Sequence, residues 1–145
     1  MGERLFGARV RRREDARLVT GRGRYVADVA LPGMLHVAVH RSPHAHARIV
    51  AVHAERARRC PGVVHVLLPA DVAALGRLPL AVPHPSLVAP ACPEILPQQV
   101  VSYVGQPVAL VVAESAAQAK DALEALSVEY QPRPPVASLE DALRR

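Results

Sequence analysis

His44 and His46 stand two residues apart, so an extended backbone would turn both imidazoles to one face, a geometry that suits a metal ion. Five more histidines, His36, His40, His53, His65 and His84, are scattered along the chain. A zinc site needs third and fourth ligands, and no Cys-x-x-Cys pair or His-Glu-x-x-His helix supplies them. With Arg48 in the same register, His44 and His46 read instead as the polar edge of a strand. Other chemistry is no better provided for. Ser42 and Ser102 sit in no nucleophile elbow. Gly21-Arg22-Gly23 lacks the rest of a dinucleotide fingerprint. The acid pairs Glu14-Asp15 and Glu140-Asp141 lie near the chain ends, where solvation or capping accounts for them. The residues therefore assign no catalytic, cofactor-binding or metal position.

Charge is concentrated at one end. Residues 1–24 hold eight arginines against Glu3, Glu14 and Asp15, and so carry the whole net charge of +5. Such an arm suits an anion or an acidic protein surface. It has few aromatic residues, and the chain has a single Lys, so nucleic acid is not expected as a partner. No apolar run approaches the roughly 20 residues of a membrane span, and no apolar segment follows the N-terminal charges as in a secretory signal. Cys60 and Cys92 lie far apart in proline-flanked segments, and the expectation is two reduced thiols in a cytoplasmic protein. The excess of Arg over Lys suggests a GC-rich bacterial genome.

The elements that must position these side chains follow from periodicity. Arg24–Val29 reads as a short strand. Met34–His40 alternates, with Leu35, Val37 and Val39 on one face and His36, Ala38 and His40 on the other, a strand with one buried face. Arg41-Ser42-Pro43-His44 breaks it, and Ala47–Val52 resumes as a strand. Ala54–Arg59 is a short helical turn stopped by Cys60-Pro61-Gly62. Val63–Leu68 is almost wholly apolar, as in a strand covered on both faces. Pro69-Ala70-Asp71 opens a short helix. Residues 77–98 hold six of the fourteen prolines and read as a long loop, with Leu78, Leu80, Val82, Leu87 and Val88 pinned on the domain or on a partner. Gln99–Tyr103 is a strand, and Pro107–Ala113 is the most buried one. Ser115 caps a helix to Leu126 with Gln118 three residues on. Ser127–Tyr130 returns as a strand, and Ser138 caps a last helix through Leu143. The organisation expected is a basic arm over 1–24 and one domain over 25–145. Its class is α/β (α+β), a mixed sheet with flanking helices and a proline-rich loop.

Several of these segments resemble a known family. Arg13-Glu14-Asp15, Arg17-Leu18, Thr20-Gly21, Gly23, Tyr25 and Asp28 are similar to the opening of the molybdenum-binding large subunits of the xanthine dehydrogenase, aldehyde oxidase and carbon monoxide dehydrogenase family. The similarity continues through Leu31-Pro32-Gly33-Met34-Leu35 and Arg41-Ser42-Pro43-His44-Ala45-His46-Ala47-Arg48-Ile49. It resumes at Pro61-Gly62-Val63, Tyr103-Val104-Gly105-Gln106-Pro107-Val108-Ala109, Val111–Ser115 and Val128-Glu129-Tyr130.

The resemblance implies the N-terminal α/β hammerhead domain of an oxidoreductase that hydroxylates aldehydes or N-heterocycles, or oxidises carbon monoxide. It implies a molybdenum–pterin cofactor, 2Fe–2S clusters and FAD in the full complex, none of them bound by this chain. The partners implied are the remaining molybdopterin-binding part, an iron–sulfur subunit and an FAD subunit. The pterin-binding motifs and catalytic glutamate of that family lie beyond the region matched, so the chain alone is not expected to be catalytically competent. Arg41, His44, His46 and Arg48 are expected to form a rigid polar turn that contacts the rest of the enzyme. The start at Met1 agrees with a natural N-terminus, and the end at Arg145 fits a split gene, a truncated frame or a fragment. Two other readings stand beside scaffolding. One is a module that binds an anion or metal through the Arg arm and His cluster, and the other is an inactive relic.

Overall fold

The computed structural model describes residues 6–79 and 92–144. It divides into two units, one up to Met34 and one from Leu35 onward. In the first, helix α1 (Asp15–Val19) is a single exposed turn. Two acids of this arm are spent locally: Arg12 Nε donates to Asp15 at 2.8 Å, and Arg17 pairs with Glu14. The strand expected over Arg24–Val29 does not form. Val26–Asp28 is instead a 3₁₀ turn, because the Asp28 carboxylate accepts the Tyr25 N–H at 2.9 Å. A short acidic side chain that bonds nearby backbone competes with extended structure.

The second unit contains β1 (His36–Arg41), β2 (Ala47–His53), α2 (Glu55–Arg58), β3 (Val63–Leu67) and α3 (Pro69–Val72). After these come β4 (Val100–Val101), β5 (Pro107–Ala113), α4 (Ala116–Glu124), β6 (Ser127–Pro132) and α5 (Leu139–Leu143). The α+β class holds. In place of one mixed sheet the described residues form two three-stranded sheets, β1-β5-β3 and β4-β2-β6, with every pairing among them antiparallel. Periodicity tells which face of a strand is apolar and does not tell which strand it pairs with, so the division into two sheets was not in the pattern.

The core is built from small side chains. Val66, Ala109 and Val111 of the first sheet meet Ala54 and Ala57 around α2, and Ala122 and Leu126 in and after α4. Ala38, Ala113 and Ala119 form a second contact, where three methyl groups let α4 lie close on the sheet. Ala47, Ile49, Val101 and Val108 form the core of the second sheet. Each fully buried valine contributes about 1.5–3 kcal/mol relative to exposure.

On β1 the covered face is therefore that of Ala38, flanked by the half-buried His36 and His40. Leu35, Val37 and Val39 lie on the other side. The physical reason is size, since only the alanine face admits a helix at close range. Strand β3 is not covered on both faces either. It is an edge strand, and Val64 and His65 are exposed. β5 is the most buried strand, as expected. Ser115 Oγ accepts the Gln118 N–H at the start of α4, and Ser138 Oγ accepts the Asp141 N–H at the start of α5.

Of the proline-rich segment, Leu80, Val82, Leu87 and Val88 lie outside the described residues. At its ends Leu78 N donates to Pro93 O at 2.9 Å, Arg77 pairs with Glu94, and Leu96 is buried. The strand expected over Gln99–Tyr103 shortens to Val100–Val101, because the Ser102 N–H turns aside to the Gln106 side chain at 2.7 Å.

Candidate functional site

β1 ends at Arg41 and β5 begins at Pro107, and the loops beyond these ends are tied together. Ser42 N donates to Gln106 O at 2.9 Å, and Gly105 N donates to Ser42 O at 2.8 Å. Arg41 Nη1 donates to Gly105 O at 2.9 Å. Ser42 and Gln106 are both buried, and the Gln106 Oε1 takes up the Ser102 N–H. The Ser42 hydroxyl then folds the next residues. It accepts the His44 N–H at 3.0 Å and donates to His44 O at 3.0 Å. Residues 44–46 are consequently bent rather than extended.

That bend separates the two imidazoles. His44 packs edge-on against Tyr130 of β6, with ring centroids 5.1 Å apart. His46 Nδ1 bonds Pro134 O at 2.9 Å, and Arg133 N donates to His46 O at 2.9 Å. The two-imidazole face expected of an extended backbone is not formed. Among the described residues no three His, Cys, Asp or Glu side chains gather closely enough to hold a metal ion. Arg48 is exposed on β2, the central strand of the second sheet. Arg41 lies at the far end of β1, joined to this turn through Gly105.

Two buried polar atoms accompany the turn. Tyr130 Oη has no hydrogen-bond partner among the described residues, and burial raises its pKa. The nearby Ser42 hydroxyl opposes that rise, but its proton is already donated to His44 O. His40 Nε2 is likewise unpartnered, and burial lowers the His40 pKa. Beside the turn runs a groove of about 370 Å³ lined by Ala45, His46, Tyr103, Val104 and Val136. Val104 is 64% exposed, and Tyr103 and Val136 are also open to solvent. A second, polar cleft of about 410 Å³ holds the Arg77–Glu94 pair at 3.4 Å, whose charges cancel. The arrangement around the turn suits recognition of a protein surface.

Gln106, Ser102 and Tyr130 are named above only within family segments or as a rejected nucleophile, and the sequence gives none of them a place in the turn. One signal was available for Gln106, a polar residue placed directly before the most apolar strand.

The family described as "Aldehyde oxidase and xanthine dehydrogenase, a/b hammerhead domain" matches residues 20–134. The nicotine 6-hydroxylase large subunit of Paenarthrobacter nicotinovorans is 41% identical over 131 residues, 88% of this chain and 16% of that protein. Quinoline 2-oxidoreductase from Pseudomonas putida 86 superposes with a TM-score of 0.85 at 48% identity, over 92% of this chain and 17% of that one. A Cu,Mo-CO dehydrogenase superposes with a TM-score of 0.80 at 37% identity, over 94% of this chain and 16% of its own. The chain thus spans about a sixth of the length of the proteins it matches. No helix among the described residues is long and apolar enough to cross a membrane. Family match, sequence identity and superposition agree on one conclusion: the chain belongs to the aldehyde oxidase and xanthine dehydrogenase family and forms its a/b hammerhead domain.

Proposed function

We propose that this chain is the scaffolding and docking domain of a bacterial, cytoplasmic molybdenum hydroxylase, and that it does no redox chemistry alone. Residues 25–145 form the domain, and residues 1–24 are a basic arm that docks against a neighbouring subunit. Its first partner is the molybdopterin-binding part of the large subunit, and an iron–sulfur and an FAD subunit complete the complex. The polar turn makes the contact. Arg41 and Arg48 offer guanidinium donors, and His46 keeps Nε2 for a partner because Nδ1 is engaged by Pro134 O. His44 sets the surface by packing on Tyr130.

The molybdenum–pterin cofactor supplies the redox chemistry of such a complex when bound. The described residues gather no donor set for a metal, so no step is assigned to this chain. What supports the docking reading is the turn itself. Buried Ser42–Gln106 bonds hold it rigid, while the groove beside it presents Tyr103 and Val104 to solvent. Rigid elements with exposed apolar side chains and a polar rim are what protein interfaces are made of.

The test is a chimaera in which this chain replaces the matched region of quinoline 2-oxidoreductase. The chimaera should assemble into the enzyme complex. Arg48→Ala should weaken assembly by roughly 5–30-fold, about 1–2 kcal/mol. The urea midpoint of the chain alone should not change, because Arg48 is exposed. Unchanged assembly of the variant would remove Arg48 from the contact, and a chimaera that never assembles would remove the scaffolding role.

A further inference from the structure

The basic arm holds charge that the rest of its chain does not answer. Residues 25–145 have ten basic and ten acidic groups, so the domain offers no net counter-charge. Within the arm, Asp15 and Glu14 take up Arg12 and Arg17. Arg9, Arg11, Arg13, Arg22 and Arg24 are exposed and have no ion-pair partner among the described residues. Apolar side chains stand among them and are as open. Phe6 is wholly exposed, and Val10 and Val26 are 71% and 91% exposed. A tail that is only solvated is poor in such side chains. Arginine with apolar and aromatic residues, and without lysine, is the composition of a protein interface.

We infer that these five arginines dock the arm on a carboxylate-bearing face of a separate subunit of the enzyme, and that Arg12 and Arg17 take no part. The inference rests on the docking reading above and adds the chemistry of the partner. Three arguments choose it. The guanidinium fork matches a carboxylate, with two parallel hydrogen bonds. A nucleic-acid strand is held by a series of stacking aromatics, and none lies between Phe6 and Tyr25. Unpaired charge acts over a distance, which speeds a partner that arrives by diffusion. A surface on the same polypeptide gains little from this, because linkage already holds it at an effective concentration in the millimolar range.

The experiment follows assembly of the quinoline 2-oxidoreductase chimaera over time by size-exclusion chromatography. It is run in dilute salt and at about 1 M NaCl, where charges are felt over only about 3 Å. Replacing the five arginines together by Gln should slow assembly at least about tenfold in dilute salt and make no difference at high salt. Replacing the five by Lys should restore the rate, since the charge returns. The local pairs are removed whole, as Arg12→Gln, Glu14→Gln, Asp15→Asn and Arg17→Gln, which leaves the net charge unaltered. That variant should stay within about twofold of the parent, as exposed pairs of this kind contribute little. A tenfold loss there would overturn the assignment to the five. A Gln variant that keeps the parent's rate, or slows equally at both salts, overturns the inference and leaves the scaffolding reading intact. A chimaera that never assembles overturns both. If the five arginines leave assembly unaffected but hold the chain on anionic lipid vesicles or on a single-stranded oligonucleotide, the occupant is not a protein and the inference is wrong.

Discussion

The backbones of Ser42 and Gln106 are joined by a 2.9 Å hydrogen bond, and both residues are buried, so the turn after β1 is fastened to the start of β5 from inside. The rest of the turn depends on this join. Gln106 also holds Ser102 through its side chain, and Ser42 holds both backbone groups of His44.

Gln106→Ala removes the buried acceptor of the Ser102 N–H. Ser102 is exposed, so its N–H can turn to water, and the expected loss is that of one hydrogen bond, about 0.5–1.5 kcal/mol. It should appear as a lower urea midpoint with an unchanged slope. Arg41→Ala breaks an exposed bond to Gly105 O and should stay within about 0.5 kcal/mol of the parent. Equal losses from the two variants would mean that the turn is not held by its buried member.

Gly62→Ala should destabilise the domain for two reasons. Gly62 has φ +76°, in the left-handed region, and a Cβ there would run into the Gln118 side chain. The backbone part costs about 1–2 kcal/mol, a drop of roughly 3–8 °C in Tm for a domain of this size. Adding Gln118→Ala should relieve the collision but not the backbone, so recovery should be partial. A single variant that melts with the parent would contradict the assignment.

Acid should weaken the fold through His40. Burial holds its folded pKa below the ordinary 6.5. The unfolded chain therefore takes the proton first as pH falls. The stability contributed by neutral His40 is complete above 6.5, declines as pH drops below it, and levels off beneath the lowered folded value. His40→Gln should flatten this part of the profile, measured as urea midpoints from about pH 7.5 down to about pH 5. Parallel profiles for the two proteins would show that His40 is not the group responsible.

Much of the architecture was legible because it is local. Ser115 and Ser138 cap α4 and α5 through hydroxyls three residues from the amides they accept, and nothing distant is needed. The seven-residue apolar run of β5 allows no exposed position for long, and it became the centre of its sheet. Where the reading of an element failed, a side chain three or four residues away captured a backbone N–H that the strand needed. The strand expected at Arg24–Val29 yielded to a local Asp28 bond. The strand expected from Gln99 to Tyr103 yielded to Gln106.

The candidate site divides in the same way. The sequence marks out Arg41, His44, His46 and Arg48 as a polar turn between two strands. It could not show that His44 turns to Tyr130, 86 residues away in the chain, while His46 turns to Pro134. The sequence by itself determined the elements, the caps and the apolar stripe of each strand, because these depend on side chains within a few residues of one another. Tertiary structure alone decided which stripe of β1 is covered. A helix can approach Ala38 more closely than Val37, so α4 took the small-residue side and left Leu35, Val37 and Val39 facing outward.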